Sequence, residues 1–190
     1  AAMLVSTFPR RVHVLMGNHE MAELTGRIVM KNGTVLNEAF RKSLDARYSG
    51  AGEEAMAYYR GFWRSMLLAA RTKNRVFLSH STPKRSRLEN FDDTVLERPL
   101  EGPDFEKEGS AYALLWGRDF KDQTSDVLCE RFDADFFVVG HTPCKEGFDV
   151  PNRRHVILDS RGEAGKYLLM PLQGSLTLES IVGRIRPLWS

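Results

Sequence analysis

Residues 11–20 read Arg11-Val-His-Val-Leu-Met-Gly-Asn-His-Glu20, and from this stretch the architecture of the chain is inferred. Val12 to Met16 is a β-branched and apolar run of the kind that forms a buried strand, and Gly17-Asn18 is a turn signal that stops it. The segment predicts a strand over 11–16 that delivers Asn18, His19 and Glu20 to a sheet edge. Residues 75–80, Arg-Val-Phe-Leu-Ser-His, repeat the pattern and are followed by polar residues and Pro83. Residues 135–140, Asp-Phe-Phe-Val-Val-Gly, repeat it again and run into His141-Thr142-Pro143. Three of the five histidines, His19, His80 and His141, thus stand where a predicted strand has just ended. Loops at the carboxyl ends of strands are where open α/β sheets hold ligands.

The intervals are read by periodicity. Residues 36–70 are rich in Ala, Glu, Arg, Leu and Met, with Gly50 and Gly52 as strong breakers, which predicts two helices meeting near 49–52. Met56, Tyr59, Phe62, Trp63, Met66, Leu67 and Ala70 recur at helical spacing and read as a core-facing stripe. Residues 84–109 are polar and loop-rich, and 124–132 read as a helix. After Pro151, residues 155–158, 166–172 and 175–182 form short β-type runs divided by glycines. Strands alternating with helices, then a strand-rich tail, predict a layered α/β fold. There is no internal repeat and no linker, so residues 1–190 are read as one domain.

Composition bounds the function. A chain of 190 residues is long enough to bury a core of its own. Hydrophobic residues at 42% and charged residues at 27% exclude disordered, collagen-like and low-complexity classes. Twenty-seven basic against 25 acidic residues leave a net charge of +2, which predicts neither a nucleic-acid nor a membrane partner. Cys129 and Cys144 do not stand in a C-x-x-C spacing, so neither a disulfide framework nor a thiolate zinc site is written here. No apolar run approaches the roughly 18–20 residues of a membrane span, and no leader pattern opens the chain. The expectation is a soluble, cytoplasmic protein.

Neutral imidazole suits zinc, iron or manganese, an Asn carbonyl is an acceptable oxygen ligand, and mixed N and O donors suit hydrolytic metals. Gly17-Asn18-His19-Glu20, the strand-end His80 and Gly140-His141-Thr142-Pro143 resemble, in order, three motifs of the calcineurin-like metallophosphoesterase superfamily. Glu20, with Leu115-Trp116-Gly117-Arg118, resembles the serine/threonine protein phosphatase branch and its bacterial-type relatives.

That resemblance implies a layered αββα sandwich and a dinuclear centre of Mn, Fe or Zn. It implies Asn18, His80 and His141 as ligands of one metal, His19 as the proton donor to the leaving alkoxide, Glu20 as the residue orienting His19, and Arg118 as the phosphate-binding residue. The implied reaction is hydrolysis of phosphomonoesters, on phosphoserine or phosphothreonine in proteins or on small phosphoesters, by direct attack of a metal-activated water. Alternatives are a nucleotide or dinucleoside polyphosphate hydrolase and a non-catalytic relative. Family members also carry Asp-x-His and Gly-Asp segments upstream, which hold the first metal. Neither occurs in this sequence, so the expectation is a family domain without its N-terminal strands, inactive alone.

Other features have plainer readings. Lys84, Arg85 and Arg87, and likewise Arg153 and Arg154, read as solvated charge, and Glu101, Asp104, Glu106 and Glu108 as an acidic solubilising loop. Asp159 and Arg161 stand where the resemblance implies a strand ending near the metals, in a position to support their ligands. Cys144 reads as an inert thiol, and His13 and His155 as structural residues.

Overall fold

The computed structural model describes residues 1–189, which form two compact units, Ala1–Leu67 and one from Leu68 onward. The first holds α1 (Ala2–Thr7), α2 (Asn18–Thr25), a two-stranded antiparallel ribbon of β1 (Met30–Lys31) and β2 (Thr34–Val35), α3 (Leu36–Arg47) and α4 (Gly52–Arg64). The predicted pair of helices is present. The turn between them takes Ser49 and Gly50 into the left-handed region, at φ 51° and 89°, which no helix can continue through. Their core is Leu44, Met56 and Trp63, with Leu24, Phe40, Phe62 and Met66 packed around it. Phe40, Tyr59 and Trp63 form a mutual aromatic cluster, with centroids 5.6–6.0 Å apart.

The predicted strand over 11–16 is reduced to one bridge. Leu15 pairs in parallel with Leu67, through Met16 N–H to Leu67 O at 2.8 Å and Leu67 N–H to Val14 O at 3.1 Å. A β-branched run becomes a strand only where a partner backbone stays extended beside it, and within this unit the extended partner is the single residue Leu67.

The second unit is built on β3 (Ala69–Arg71), β4 (Val76–Ser79), β5 (Phe136–Val139), β6 (Phe148–Asn152) and β7 (His155–Leu158), in the order β3-β4-β5-β7-β6. The three central strands are parallel and the two edges antiparallel. Between β4 and β5 lie three short 3₁₀ turns, α5 (Ser110–Trp116) and α6 (Asp122–Phe132). After β7 come β8 (Lys166–Leu168), α7 (Leu178–Val182) and β9 (Ile185–Pro187), with β8 and β9 paired antiparallel.

Alternation along the central strands assigns their two faces. Val76, Phe136, Val138 and Val156 pack with Ile181, Leu178 and Val182 of α7 and with Leu168 and Ile185 of the small sheet. On the opposite face, Phe77 stacks on Phe132 of α6 at 4.7 Å, and Phe137 stacks on His155 at 4.7 Å. The sheet is therefore covered on both faces, as parallel strands require.

Residues 175–182 are not a strand. Thr177 Oγ1 accepts the Ser180 N–H at 3.2 Å and Ser180 Oγ accepts the Thr177 N–H at 3.0 Å, a reciprocal cap that starts α7 and outweighs the β-type composition. The acidic loop is also more than solvated charge. Asp104 is buried, accepts both Nη1 and Nη2 of Arg98 at 2.7 Å and the Glu101 N–H at 2.7 Å, and so closes the 3₁₀ turn at 102–105. Arg87 pairs with Glu108, and Arg153 with Asp126.

Candidate functional site

β4 and β5 pair in register, Ser79 beside Val139, so their carboxyl ends share one edge. His80 follows β4 directly and His141, 61 positions on, follows β5 after Gly140, and His80 Nε2 lies 3.0 Å from His141 Nδ1 with the rings 4.8 Å apart at 64°. The Gly140 N–H donates to His80 O at 3.1 Å, which continues the ladder by one step and fixes the two loops together. His141 itself has φ 62°, and the Thr142 N–H donates back to Gly140 O at 2.7 Å.

The Leu115-Trp116-Gly117-Arg118 segment reaches this edge from α5. Ser81 Oγ donates to Gly117 O, and a side chain at Gly117 would run into the backbone of Thr82. Only glycine permits that approach. It places exposed Arg118 next to the segment that carries His80, while the Trp116 ring meets His141 edge-on at 6.1 Å and 77°. Trp116 Nε1 and Thr142 Oγ1 are buried and have no hydrogen-bond partner among the described residues.

At the end of β7, Asp159 accepts the Cys144 N–H at 3.0 Å and is gripped by Arg161, from Nε at 2.9 Å and from Nη2 at 2.8 Å. The Arg161 guanidinium, with these N–H donors, holds the Asp159 carboxyl well below the usual carboxylate range. Desolvation pushes the Cys144 thiol up, which accords with an inert thiol. His155 is fully buried between Phe137 and Phe120, and burial pulls its pKa down to about 4, so it is a neutral structural residue.

In the first unit, Asn18, His19 and Glu20 form the opening turn of α2. Asn18 is buried, His19 is exposed, and Glu20 Oε2 accepts the Gly17 N–H at 3.0 Å, capping the helix. His19 and Glu20 border a cleft of about 220 Å³ whose other walls are Glu23, Leu36, Asn37, Phe40 and Trp63. Asn37 Nδ2 donates to Glu23 at 2.6 Å across its floor.

The donor chemistry at the sheet edge fits a divalent metal. Two imidazoles of adjustable tautomer suit zinc, iron or manganese, and a 3.0 Å separation, which is also that of a hydrogen bond, matches two neighbouring ligands of one ion at a near-right angle. Among the described residues, no group of three or more His, Cys, Asp or Glu that could hold a metal ion is gathered.

The chain belongs to the calcineurin-like phosphoesterase family, whose model matches residues 1–145. Among solved structures, it is similar to a serine/threonine phosphatase from Saccharomyces cerevisiae that resembles human phosphatase PP5, at 15% identity and a TM-score of 0.59 over 86% of this chain. That alignment takes in 54% of the yeast protein, so the chain spans about half the length of its relative. The likeness supports the fold: a mixed α/β sheet with helices, as the sequence predicted. Two crystal structures of a cold-active protein tyrosine phosphatase are similar at 17% identity, with TM-scores of 0.47 and 0.48 over 78% of this chain and 49% and 48% of the other. No curated protein matches the sequence. Among the described residues no helix is long and apolar enough to cross a membrane.

Proposed function

We propose that the chain is the metal-binding core of a phosphomonoesterase acting on phosphoserine or phosphothreonine in proteins. The observation that carries this reading is the approach of His80 and His141 to 3.0 Å at the carboxyl ends of parallel neighbours, in a chain of calcineurin-like phosphoesterase membership. His80 and His141 would hold one divalent ion of a pair. When bound, such a pair neutralises phosphate charge and lowers the pKa of an attacking water.

The chain's own residues supply the rest. The Arg118 guanidinium offers a planar fork of N–H donors to two phosphate oxygens, a geometry that Lys cannot match. His19, exposed at the start of α2, donates a proton to the departing serine or threonine oxygen. Glu20 caps the turn that carries His19, and its proposed role is to orient that imidazole.

Substituting the two histidine types separates their roles. In a protein that also carries the upstream Asp-x-His and Gly-Asp segments, His19→Ala is expected to retain metal and lose about 10²–10⁴ in turnover on an alkyl phosphate, less on a nitrophenyl phosphate, whose leaving group needs little protonation. His141→Ala is expected to lose metal. Metal analysis of both purified variants, with rates on one aryl and one alkyl phosphate, tests this. Loss of metal in His19→Ala, or equal rate defects on the two substrates, would assign His19 a different role. Hydrolysis of a dinucleoside polyphosphate in preference to a phosphoserine peptide would refute the substrate assignment.

A further inference from the structure

We propose that Asp159, locked by Arg161, is the positioning residue that holds the 140–144 turn so that His141 faces His80. The proposal rests on the metal-site reading of these two histidines.

His141 occupies the left-handed region at φ 62°, and the bond from Thr142 N–H to Gly140 O closes a three-residue ring around it. A ring of this kind centred on a positive φ is the strained form of the γ-turn, which a non-glycine residue adopts only where its surroundings impose it. Upstream the restraint is the sheet itself, through Gly140 N–H to His80 O. Downstream, Pro143 has no N–H to give, so the first backbone donor after Thr142 is Cys144, and its partner is Asp159 Oδ2 at 3.0 Å.

Asp159 is built to be immobile. It follows the last residue of β7, a strand parallel to β5, so its carboxylate arises at the same sheet edge as His141. Its N–H donates to Gly147 O at 2.8 Å, and its carbonyl accepts the Lys166 N–H at 3.1 Å. The carboxylate accepts four donors: Cys144 N–H, the Arg161 N–H at 3.1 Å, Arg161 Nε and Arg161 Nη2. Its side chain is 10% exposed and that of Arg161 58%, so the arginine covers the carboxylate from the solvent side. The turn that presents His141 is thus pinned at one end by the ladder and at the other by a fixed anion. Without Asp159 the Cys144 N–H loses its acceptor and the strained turn can relax.

The test uses the full chain. In the metal-free protein, imidazole ¹⁵N resonances of Asp159→Ala should shift for His80 and His141 and stay in place for His155, which lies four residues upstream in β7 and reports that the strand is intact. Manganese(II) titrated calorimetrically should bind at least about tenfold more weakly to Asp159→Ala, the range seen when a partner behind a metal ligand is removed. Asp159→Asn, which keeps an acceptor for Cys144 and loses the charged grip of Arg161, should fall between; it also serves if the alanine variant fails to fold. Unchanged manganese affinity and unmoved His141 resonances in a folded Asp159 variant, with manganese binding lost in His141→Ala, would overturn the positioning role and leave the metal reading standing. Unchanged manganese binding in His141→Ala would overturn both.

Discussion

Replacing Gly117 by alanine would drive a methyl group into backbone. The new Cβ falls deep inside the van der Waals envelope of the Thr82 carbonyl oxygen, 2.8 Å from its carbon and 3.1 Å from Ala113 O. None of these atoms belongs to a flexible side chain, so relief requires the 80–82 segment and the end of α5 to part. Overpacking of this kind costs about 1–3 kcal/mol. The separation also loosens the bond from Ser81 Oγ to Gly117 O, worth about 1 kcal/mol. About 3 kcal/mol in all lowers the melting midpoint by about 6–12 °C in a chain of this length. Calorimetry of the parent and Gly117→Ala measures it directly. If the phosphatase reading holds, the variant should also lose turnover, because Arg118 moves with Gly117. A midpoint within about 2 °C of the parent would show that the two segments do not approach as described.

Gly61, exposed within α4, has nothing within 4 Å of an added Cβ, so Gly61→Ala should stabilise by about 0.5–1 kcal/mol and raise the midpoint by about 2 °C; a lower midpoint would contradict the helix. For His155, burial depresses the folded pKa to about 4 from an unfolded value of about 6.5, so the unfolded state binds the extra proton. Stability is therefore intact above about pH 6.5 and falls by about 3 kcal/mol as the pH drops to about 4. Denaturant titrations across that window should show this slope in the parent and a shallower one, by up to one proton, in His155→Asn; equal slopes would mean that His155 titrates freely.

Much of the local structure was legible because side-chain periodicity reports which face of an element is apolar. Phe-Phe-Val-Val over 136–139 is buried throughout and forms the central parallel strand β5, and the helical stripe of Met56 and Trp63 faces the core of the first unit. Where periodicity failed, a competing local term or a missing partner decided. Thr177 and Ser180 cap a helix out of β-type residues, and Val12 to Met16 remains a single bridge for want of an extended neighbour. Helix α5 was not predicted at all, although it is the element that carries Leu115-Trp116 to the sheet edge.

The sequence alone determined the chemistry on offer: the imidazoles of His80 and His141 at two strand ends, the Gly-Asn-His-Glu run at the start of α2, and a guanidinium at Arg118. It also determined the class of fold, since strands and helices alternate in a way only layered α/β packing satisfies. The tertiary structure decided contact. Register between β4 and β5 brings nitrogens 61 positions apart to 3.0 Å, parallel pairing with β7 brings Asp159 to the Cys144 N–H, and the absent side chain of Gly117 lets α5 close on Thr82. A residue's type and its face follow from its near neighbours along the chain, whereas which strand pairs with which, and at what offset, depends on burial summed over both faces of the sheet, which no local stretch of sequence records.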